Sequence, residues 1–176
     1  MIPTITPKRR VFLLFLAADF VVFLTLLAVY FYLRVQAPYW PKAFHFPSGL
    51  MSVAMAMFAI AASVMMLVAQ RTAEKPRMIA LAVVSWLTYL ALAAMEWLRV
   101  IFVEHVKLPQ FGQTYFALTG FQVAHVFAGV VYLTVVAVRI ERHDLEIASA
   151  YVHYVNALWL ILFPALILSA IDLQGL

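Results

Sequence analysis

The chain has 176 residues, of which 66% are hydrophobic and 11% charged, whereas a soluble globular domain is about half apolar and a quarter charged. This composition excludes an ordinary water-soluble enzyme. The net charge of +4 comes from short charged clusters between long uncharged runs, as in a multi-span membrane protein, and does not require a nucleic-acid partner. Because the chain has no cysteine, a disulfide framework, a thiolate metal site, an iron–sulfur cluster and a covalent c-type haem are excluded.

Five apolar runs follow one another along the chain. A bilayer core of roughly 30 Å needs about 20 apolar residues of helix, and none of the runs has the strict alternation of a membrane β-strand. We therefore expect an all-α, polytopic protein, with residues 1–176 forming a single membrane domain. Prolines and glycines mark the connections, at Pro38, Pro41, Pro47, Gly49, Pro76, Pro109 and Gly112. The predicted transmembrane helices cover about residues 11–35, 49–70, 77–103, 113–139 and 147–171.

Lysine and arginine are divided unequally between alternate loops. One side has Lys8, Arg9, Arg10, Arg71, Lys75, Arg77, Arg139 and Arg142, and the other has Arg34, Lys42, Arg99 and Lys107. Because cytoplasmic loops carry the positive excess, we expect the N-terminus in the cytoplasm and the C-terminus outside. The first apolar run is longer than the roughly 7–15 residues of a signal-peptide core, so we interpret it as an uncleaved span.

Asp19 is the most informative polar residue, because it lies inside the first apolar run. A carboxylate in a membrane span is costly and commonly functional. One interpretation is a neutral, proton-sharing carboxyl, and the other is an interhelical hydrogen bond that holds the first helix in place. A proton-coupled transporter would also use such a group, but the runs contain no pair of broken helices, and Pro164 is the single internal proline.

His125 and His153 are the histidines of the predicted spans, and together they raise the possibility of a bis-histidine haem. At about 1.5 Å per residue, they lie at depths that differ by roughly 10 Å, which argues against a shared haem. For each histidine alone, we favour an interhelical hydrogen bond. The same arithmetic puts Asp19 at roughly 12 Å and His153 and Asn156 at roughly 9 and 14 Å from one side, so these three form a candidate polar cluster in the inner leaflet.

Two further features have competing interpretations. Glu96 precedes Arg99 by three residues, which predicts an i, i+3 ion pair at the interface, with a lipid headgroup or partner contact as the alternative. The second span is rich in methionine, which favours packing over a copper(I) path. We find no nucleophile with its base, no phosphate-binding loop and no metal-ligand set. A small-residue stripe that permits close helix packing comprises Gly120, Ala124 and Ala128.

Four segments of the chain resemble subunit III of the haem-copper cytochrome oxidases, in its short five-helix bacterial form. The two most specific are Thr119-Gly120-Phe121-Gln122-Val123-Ala124-His125-Val126 with Gly129, against Thr-Gly-Phe-His-Gly-x-His-Val-x-x-x-Gly, and Tyr151-Val152-His153-Tyr154-Val155-Asn156-Ala157-Leu158-Trp159-Leu160, against Tyr-Trp-His-Phe-Val-Asp-x-x-Trp-Leu. The other two are the first helix, with Asp19, Phe23, Tyr30, Arg34 and Trp40-Pro41, and the pair Glu96-Trp97.

Four of the departures from the family pattern bear on the expected chemistry. Asp19 stands where the family has its carbodiimide-reactive glutamate, and Asn156 stands where it has an aspartate. Gln122 replaces the first histidine, and Ala93 replaces a glutamine. The change at position 19 keeps a carboxylate, whereas the change at position 156 removes an acid.

The resemblance implies an accessory subunit without haem, copper or other metal of its own, in the plasma (inner) membrane of a bacterium. Such a subunit packs on catalytic subunit I, beside subunit II and other respiratory-complex subunits, binds phospholipid and supports proton uptake and complex stability while O2 is reduced to water elsewhere. Arg34 and Arg99 are its candidate lipid ligands. Gln122, Asn156 and the ending Leu162-Phe163-Pro164 also resemble divergent members associated with nitric oxide reductases. The implied structural motif positions are Glu96, Arg99, Gly120, His125, Gly129 and Trp159.

Overall fold

The computed structural model describes residues 7–37, 49–103, 109–139 and 142–169. Within these ranges, five helices are long and apolar enough to cross a membrane, which confirms the predicted all-α, multi-pass class. The predictions that involve Pro38, Trp40, Pro41, Lys42, Pro47 and Lys107 concern residues outside these ranges. The helices are α1 (Pro7–Gln36), α2 (Gly49–Ala69), α3 (Lys75–Leu98), α4 (Pro109–Arg139) and α5 (Arg142–Ser169), and a π-helical turn, Arg99–Val103, follows α3.

The helices extend further into charged sequence than we predicted. The first was expected from residue 11 and begins at Pro7, and the fifth was expected from residue 147 and begins at Arg142. The helices begin earlier than expected because the expected starts were taken from the limits of the uncharged runs. Arginine, lysine and glutamate are good helix formers, and their long side chains reach water from the last turns of a span. This difference of four or five residues changes the depths assigned to the polar groups.

Four of the helices form a closed ring. Contacts join α2 to α3, α3 to α4, α4 to α5 and α5 back to α2. The first helix lies outside this ring, against α4 and α5. Half of the most apolar stretch of α5 is buried inside the protein, against 6% of that of α1. Most side chains of α1 therefore face the surroundings of the protein.

Large aromatic side chains fill the centre of the ring. Trp86 of α3 and Trp159 of α5 are fully buried, and the Trp159 ring meets Tyr89 edge to face at 5.5 Å between centroids. Gly129 of α4 makes room for Trp86, since a Cβ atom at this position would overlap the indole ring. Position 129 requires a glycine because α3 and α4 lie close together with the bulky Trp86 ring between them.

Candidate functional site

Asp19 connects three helices through one carboxylate. The Tyr154 hydroxyl of α5 donates to Asp19 Oδ2 at 2.6 Å, and Nε2 of His125 on α4 lies 3.0 Å from Asp19 Oδ1. The side chains of Asp19 and His125 are only 11% and 15% exposed. We call these three residues the Asp19 network. It attaches α1 to the ring, with each carboxylate oxygen engaged by a different helix.

The geometry of His125 limits where protons lie in this network. Its Nδ1 is 2.7 Å from the carbonyl oxygen of Phe121, which can only accept a hydrogen bond, so Nδ1 carries a hydrogen. The contact between Nε2 and Asp19 then holds one further proton, either on the ring, giving an ion pair, or on the carboxyl, giving a neutral pair. The pair has zero net charge in both states. It can therefore keep a proton within a membrane span without burying an unpaired charge.

Neighbouring side chains hold the histidine in place. The Tyr151 hydroxyl donates to the backbone carbonyl of His125 at 3.1 Å, and the Phe121 ring lies 4.3 Å from the imidazole ring between centroids. Tyr151 and Tyr154 are three residues apart and so share one face of α5. Phe23, one turn after Asp19, is fully buried and packs beside Phe121. Packing from three helices thus fixes the imidazole orientation.

The predicted cluster of Asp19, His153 and Asn156 is wrong. The Nε2 atom of His153 contacts the Ser149 hydroxyl at 3.2 Å, and Asn156 contacts α2 and α3. Counted from Pro7 and Arg142, Asp19 and His153 lie roughly 18 and 16 Å along their helices, so their depths are similar. Helix rotation separates them, because adjacent positions on a helix differ in direction by about 100°. Tyr154, next to His153, faces Asp19 instead.

The predicted difference in depth between His125 and His153 was too large. Counted from Arg139, His125 lies roughly 21 Å along α4, so the difference from His153 is about 5 Å and not the predicted 10 Å. The two rings nevertheless have different partners, since Asp19 and Phe121 engage His125 and Ser149 engages His153. Over the described ranges, no group of three or more His, Asp or Glu is arranged to hold a metal ion.

Asn156 is the centre of a second, uncharged network inside the ring. Its amide nitrogen donates to the carbonyl of Ala59 at 2.6 Å and to the hydroxyl of Ser63 at 2.7 Å, both on α2. Its amide oxygen accepts from Trp86 Nε1 of α3 at 3.1 Å. We call these residues the Asn156 network. A carboxylate could not donate to the Ala59 carbonyl, and a carboxyl would have a single donor, so the two donor contacts at position 156 favour an amide.

Gln122 contributes a parallel contact between α4 and α5. Its side-chain nitrogen donates to the backbone carbonyl of Val155 at 3.0 Å, and the side chain is fully buried. Val155 immediately precedes Asn156 in sequence. Two amides therefore link α5 to helices on two sides of the ring.

The predicted pair of Glu96 and Arg99 forms at the C-terminal end of α3. The guanidinium contacts both carboxylate oxygens, at 2.7 and 3.0 Å. Glu96 is only 1% exposed, so the pair is more buried than an interfacial position would give. The π-helical turn begins at Arg99, and Arg34 at the end of α1 is half-buried.

The remaining motif positions serve packing. Gly120 has space for a methyl group, with Trp97 the nearest side chain at 3.9 Å, whereas Gly129 has none. Ala124 and Ala128 of the small-residue stripe are exposed, so that stripe does not carry the close contacts inside the chain. Gly129, which lies next to the stripe, has this role. The Trp159 side chain is 1% exposed.

Sequence reasoning missed Tyr154, Ser63 and Trp86 as members of the two networks. Tyrosine, serine and tryptophan are common in apolar spans, and none of these three stands out by charge. The one available signal was the spacing of Tyr151 and Tyr154, which places two hydroxyl groups on one face of α5.

No family model matches the sequence. The described structure defines the chain as a multi-pass α-helical membrane protein with an intramembrane carboxylate–imidazole pair.

Proposed function

We propose that the chain is an accessory subunit III of a haem-copper terminal oxidase in a bacterial plasma membrane. It packs on the catalytic subunit, which holds the haem and copper, and has no redox centre itself. The observation that supports this proposal most directly is that residues from separate family-like segments contact one another. Three of the four segments that resemble the family lie far apart in sequence, and they supply Asp19, His125 and Tyr154, which meet in a single hydrogen-bonded network. Tyr154 stands where the family pattern has phenylalanine, so its hydroxyl is a feature of this chain.

In this proposal, the Asp19 network retains a proton close to the catalytic subunit. The pair of Asp19 and His125 holds one shared proton at zero net charge, which suits a site that supports proton uptake without conducting ions by itself. The Glu96–Arg99 pair stabilises the opposite end of the bundle, where Arg34 and Arg99 bind phospholipid headgroups. The basic end of α1 lies in the cytoplasm, as the positive-inside rule predicts.

A nitric oxide reductase is the second candidate for the parent complex. Gln122 and Asn156 stand where the oxidase pattern has a histidine and an acid, and both amides donate to backbone carbonyls in the core. Their roles are structural, so in this candidate the proton role falls to the pair of Asp19 and His125. A stand-alone haem b carrier has weaker support, because both nitrogens of His125 are engaged by protein groups. A proton-coupled transporter has no pair of broken helices to support it within the residues that the structure describes.

The test is purification of the tagged full chain from native membranes in a mild detergent. A redox difference spectrum, mass spectrometry and rates of O2 and nitric oxide consumption are measured on the product. We expect a large multi-helix subunit with haem and copper to copurify and to consume O2. Nitric oxide consumption without O2 consumption would select the second candidate. A chain recovered alone and without haem would contradict both, and proteoliposome transport assays would follow.

The role of the network is tested with Asp19→Asn in the same complex. This variant keeps the size of the side chain and removes its acid, so we expect slower proton uptake or a shorter turnover lifetime with assembly intact. Glu74→Gln is the matched control, because Glu74 is an exposed carboxylate paired with Arg77 outside the network. Normal turnover and lifetime in Asp19→Asn would contradict the proton role. Loss of assembly would favour a structural role.

A further inference from the structure

A small cavity lies inside the helical ring, between side chains of α2, α3, α4 and α5. Its volume is about 10 Å³, which is at the lower end of the roughly 10–15 Å³ that one water molecule requires. The cavity therefore has room for a single water and for no larger ligand. Its walls include Met55, Ala93, Glu96, Tyr115, Thr119 and Trp159.

Trp159 lines this cavity with an indole ring whose donor is unsatisfied. The side chain is 1% exposed, and its Nε1 has no hydrogen-bond acceptor among the described residues. Trp86 provides the comparison, because it is as deeply buried and its Nε1 donates to Asn156 Oδ1. A buried N–H group without a partner is costly, and ordered water is the usual partner where protein groups supply none. The Trp159 indole therefore favours a small hydrogen-bond acceptor in the cavity.

The walls also supply acceptors for the hydrogens of a water molecule. The Glu96 side chain is 1% exposed, and each oxygen of a carboxylate can accept more than one hydrogen bond. The Tyr115 hydroxyl of α4 is a further acceptor in the lining. Cavities that stay dry are lined by apolar groups, whereas a buried water needs two to four polar partners. This lining meets the second condition.

Two other buried polar atoms without a partner lie near this cavity. They are Gln122 Oε1 and Ser52 Oγ, and with Trp159 Nε1 they are the three such side-chain atoms in the described part of the chain. Gln122 lies three residues after Thr119, and Ser52 lies three residues before Met55. Each therefore shares a helix face with a residue of the cavity wall. The three atoms belong to one region of the ring interior, which favours a polar ligand there over separate packing defects.

We propose that this cavity binds one ordered water molecule, which accepts a hydrogen bond from Trp159 Nε1 and donates one to the Glu96 carboxylate. The ion pair of Glu96 and Arg99 joins residues three positions apart in one helical segment. The water connects this pair to α5, so it links a buried charge to the aromatic centre of the ring. The site shares no residue with the Asp19 network or the Asn156 network and does not depend on the proposed function.

The experiment is proton-detected solid-state NMR of the full chain in lipid bilayers, with isotope-labelled tryptophan. Magnetisation transfer from water to each assigned indole N–H is measured. We expect a water cross-peak at Trp159 and none at Trp86, because both rings are buried but only Trp86 has a protein acceptor. Absence of the cross-peak at Trp159 would overturn the proposal. Equal cross-peaks at both rings would also overturn it, since they would show general hydration of the ring interior.

A filling variant tests whether the water lies in this cavity. Ala93→Val enlarges a side chain of the wall, so it should remove the water cross-peak of Trp159 and keep the helical circular dichroism spectrum. Ala94→Val is the matched control, because Ala94 is the next residue, is exposed and should leave the cross-peak unchanged. A cross-peak that persists in Ala93→Val would overturn the proposal. If Ala93→Val does not fold, the comparison of Trp159 with Trp86 in the unchanged chain decides.

A third variant tests the link to the carboxylate. Glu96→Gln replaces a charged acceptor with a weaker neutral one, so the water should polarise the Trp159 indole less. We expect the Trp159 indole proton to shift upfield and the Trp86 indole proton to stay in place. An unchanged Trp159 signal would overturn the assignment of Glu96 as the acceptor.

Discussion

The two polar networks differ in charge, burial and the helices that they join. The Asn156 network is neutral, lies within the ring and links α5 to α2 and α3. The Asp19 network contains an acid and a base, lies at the edge of the ring and attaches α1. Neutral amides satisfy buried backbone and indole groups without the desolvation of a charge, so they suit the core. The ionisable pair lies where a weakly packed helix meets the ring.

The difference in packing makes α1 depend more on its polar contacts. Only Phe23 and Tyr30 of α1 are buried, whereas α5 buries about half of its span. A helix with little buried area gains little from side-chain packing in a membrane, because lipid tails are as apolar as its side chains. The four predictions below test this comparison, beginning with the largest expected effect.

Gly129→Ala should destabilise the ring most strongly, by about 3 kcal/mol, because its Cβ would overlap the fully buried Trp86 ring. The free energy of unfolding is measured by denaturant titration in mixed micelles. Gly112→Ala is the matched control, since a Cβ there meets nothing within 4 Å. Equal effects of the two changes would contradict the packing described here.

Asn156→Leu should lower the free energy of unfolding by about 2 kcal/mol, because it leaves the Trp86 indole and the Ser63 hydroxyl without partners. The same titration measures it. Ser63→Ala removes one contact of the network and should have about a third of the effect. If Asn156→Leu destabilises the protein less than Asp19→Leu does, the ranking of the two networks is wrong.

Asp19→Leu should reduce global stability by only about 1 kcal/mol but should loosen α1, since His125 and Tyr154 lose their shared hydrogen-bond partner. The chain has no cysteine, so Phe23→Cys creates a unique thiol on the buried face of α1. We expect its maleimide labelling to be about fivefold faster when Asp19 is replaced. Ala62→Cys, on the buried face of α2, is the control and should label at an unchanged rate. Parallel acceleration at both thiols would mean that the whole bundle opens.

Tyr154→Phe should have the smallest effect, about 0.6 kcal/mol, because it removes one hydroxyl bond to Asp19 and keeps the ring. A double-mutant cycle with Asp19→Asn measures the coupling between the two side chains. Tyr132→Phe is the control, since its hydroxyl makes no hydrogen bond within the described part of the chain. Zero coupling would remove Tyr154 from the network.

Sequence patterns predict contacts within one helix better than contacts between helices. The Glu96–Arg99 pair was predictable because both residues are on one helix, three positions apart. The partners of Asp19 were not predictable, because the sequence showed neither where the helices begin nor how α5 is rotated. Charged residues extended α1 and α5 beyond the apolar runs, and the rotation of α5 brought Tyr154 rather than His153 to the carboxylate.

Length and composition determined that this is a multi-pass helical membrane protein, because a span needs a long apolar run, and the described residues contain five helices of that kind. The basic clusters at one end were equally visible in the sequence. Tertiary structure alone decided which helix faces meet, since spans that are apolar on all sides carry no periodic signal for the side that faces protein rather than lipid. It alone brought Asp19 to His125 and Asn156 to Trp86.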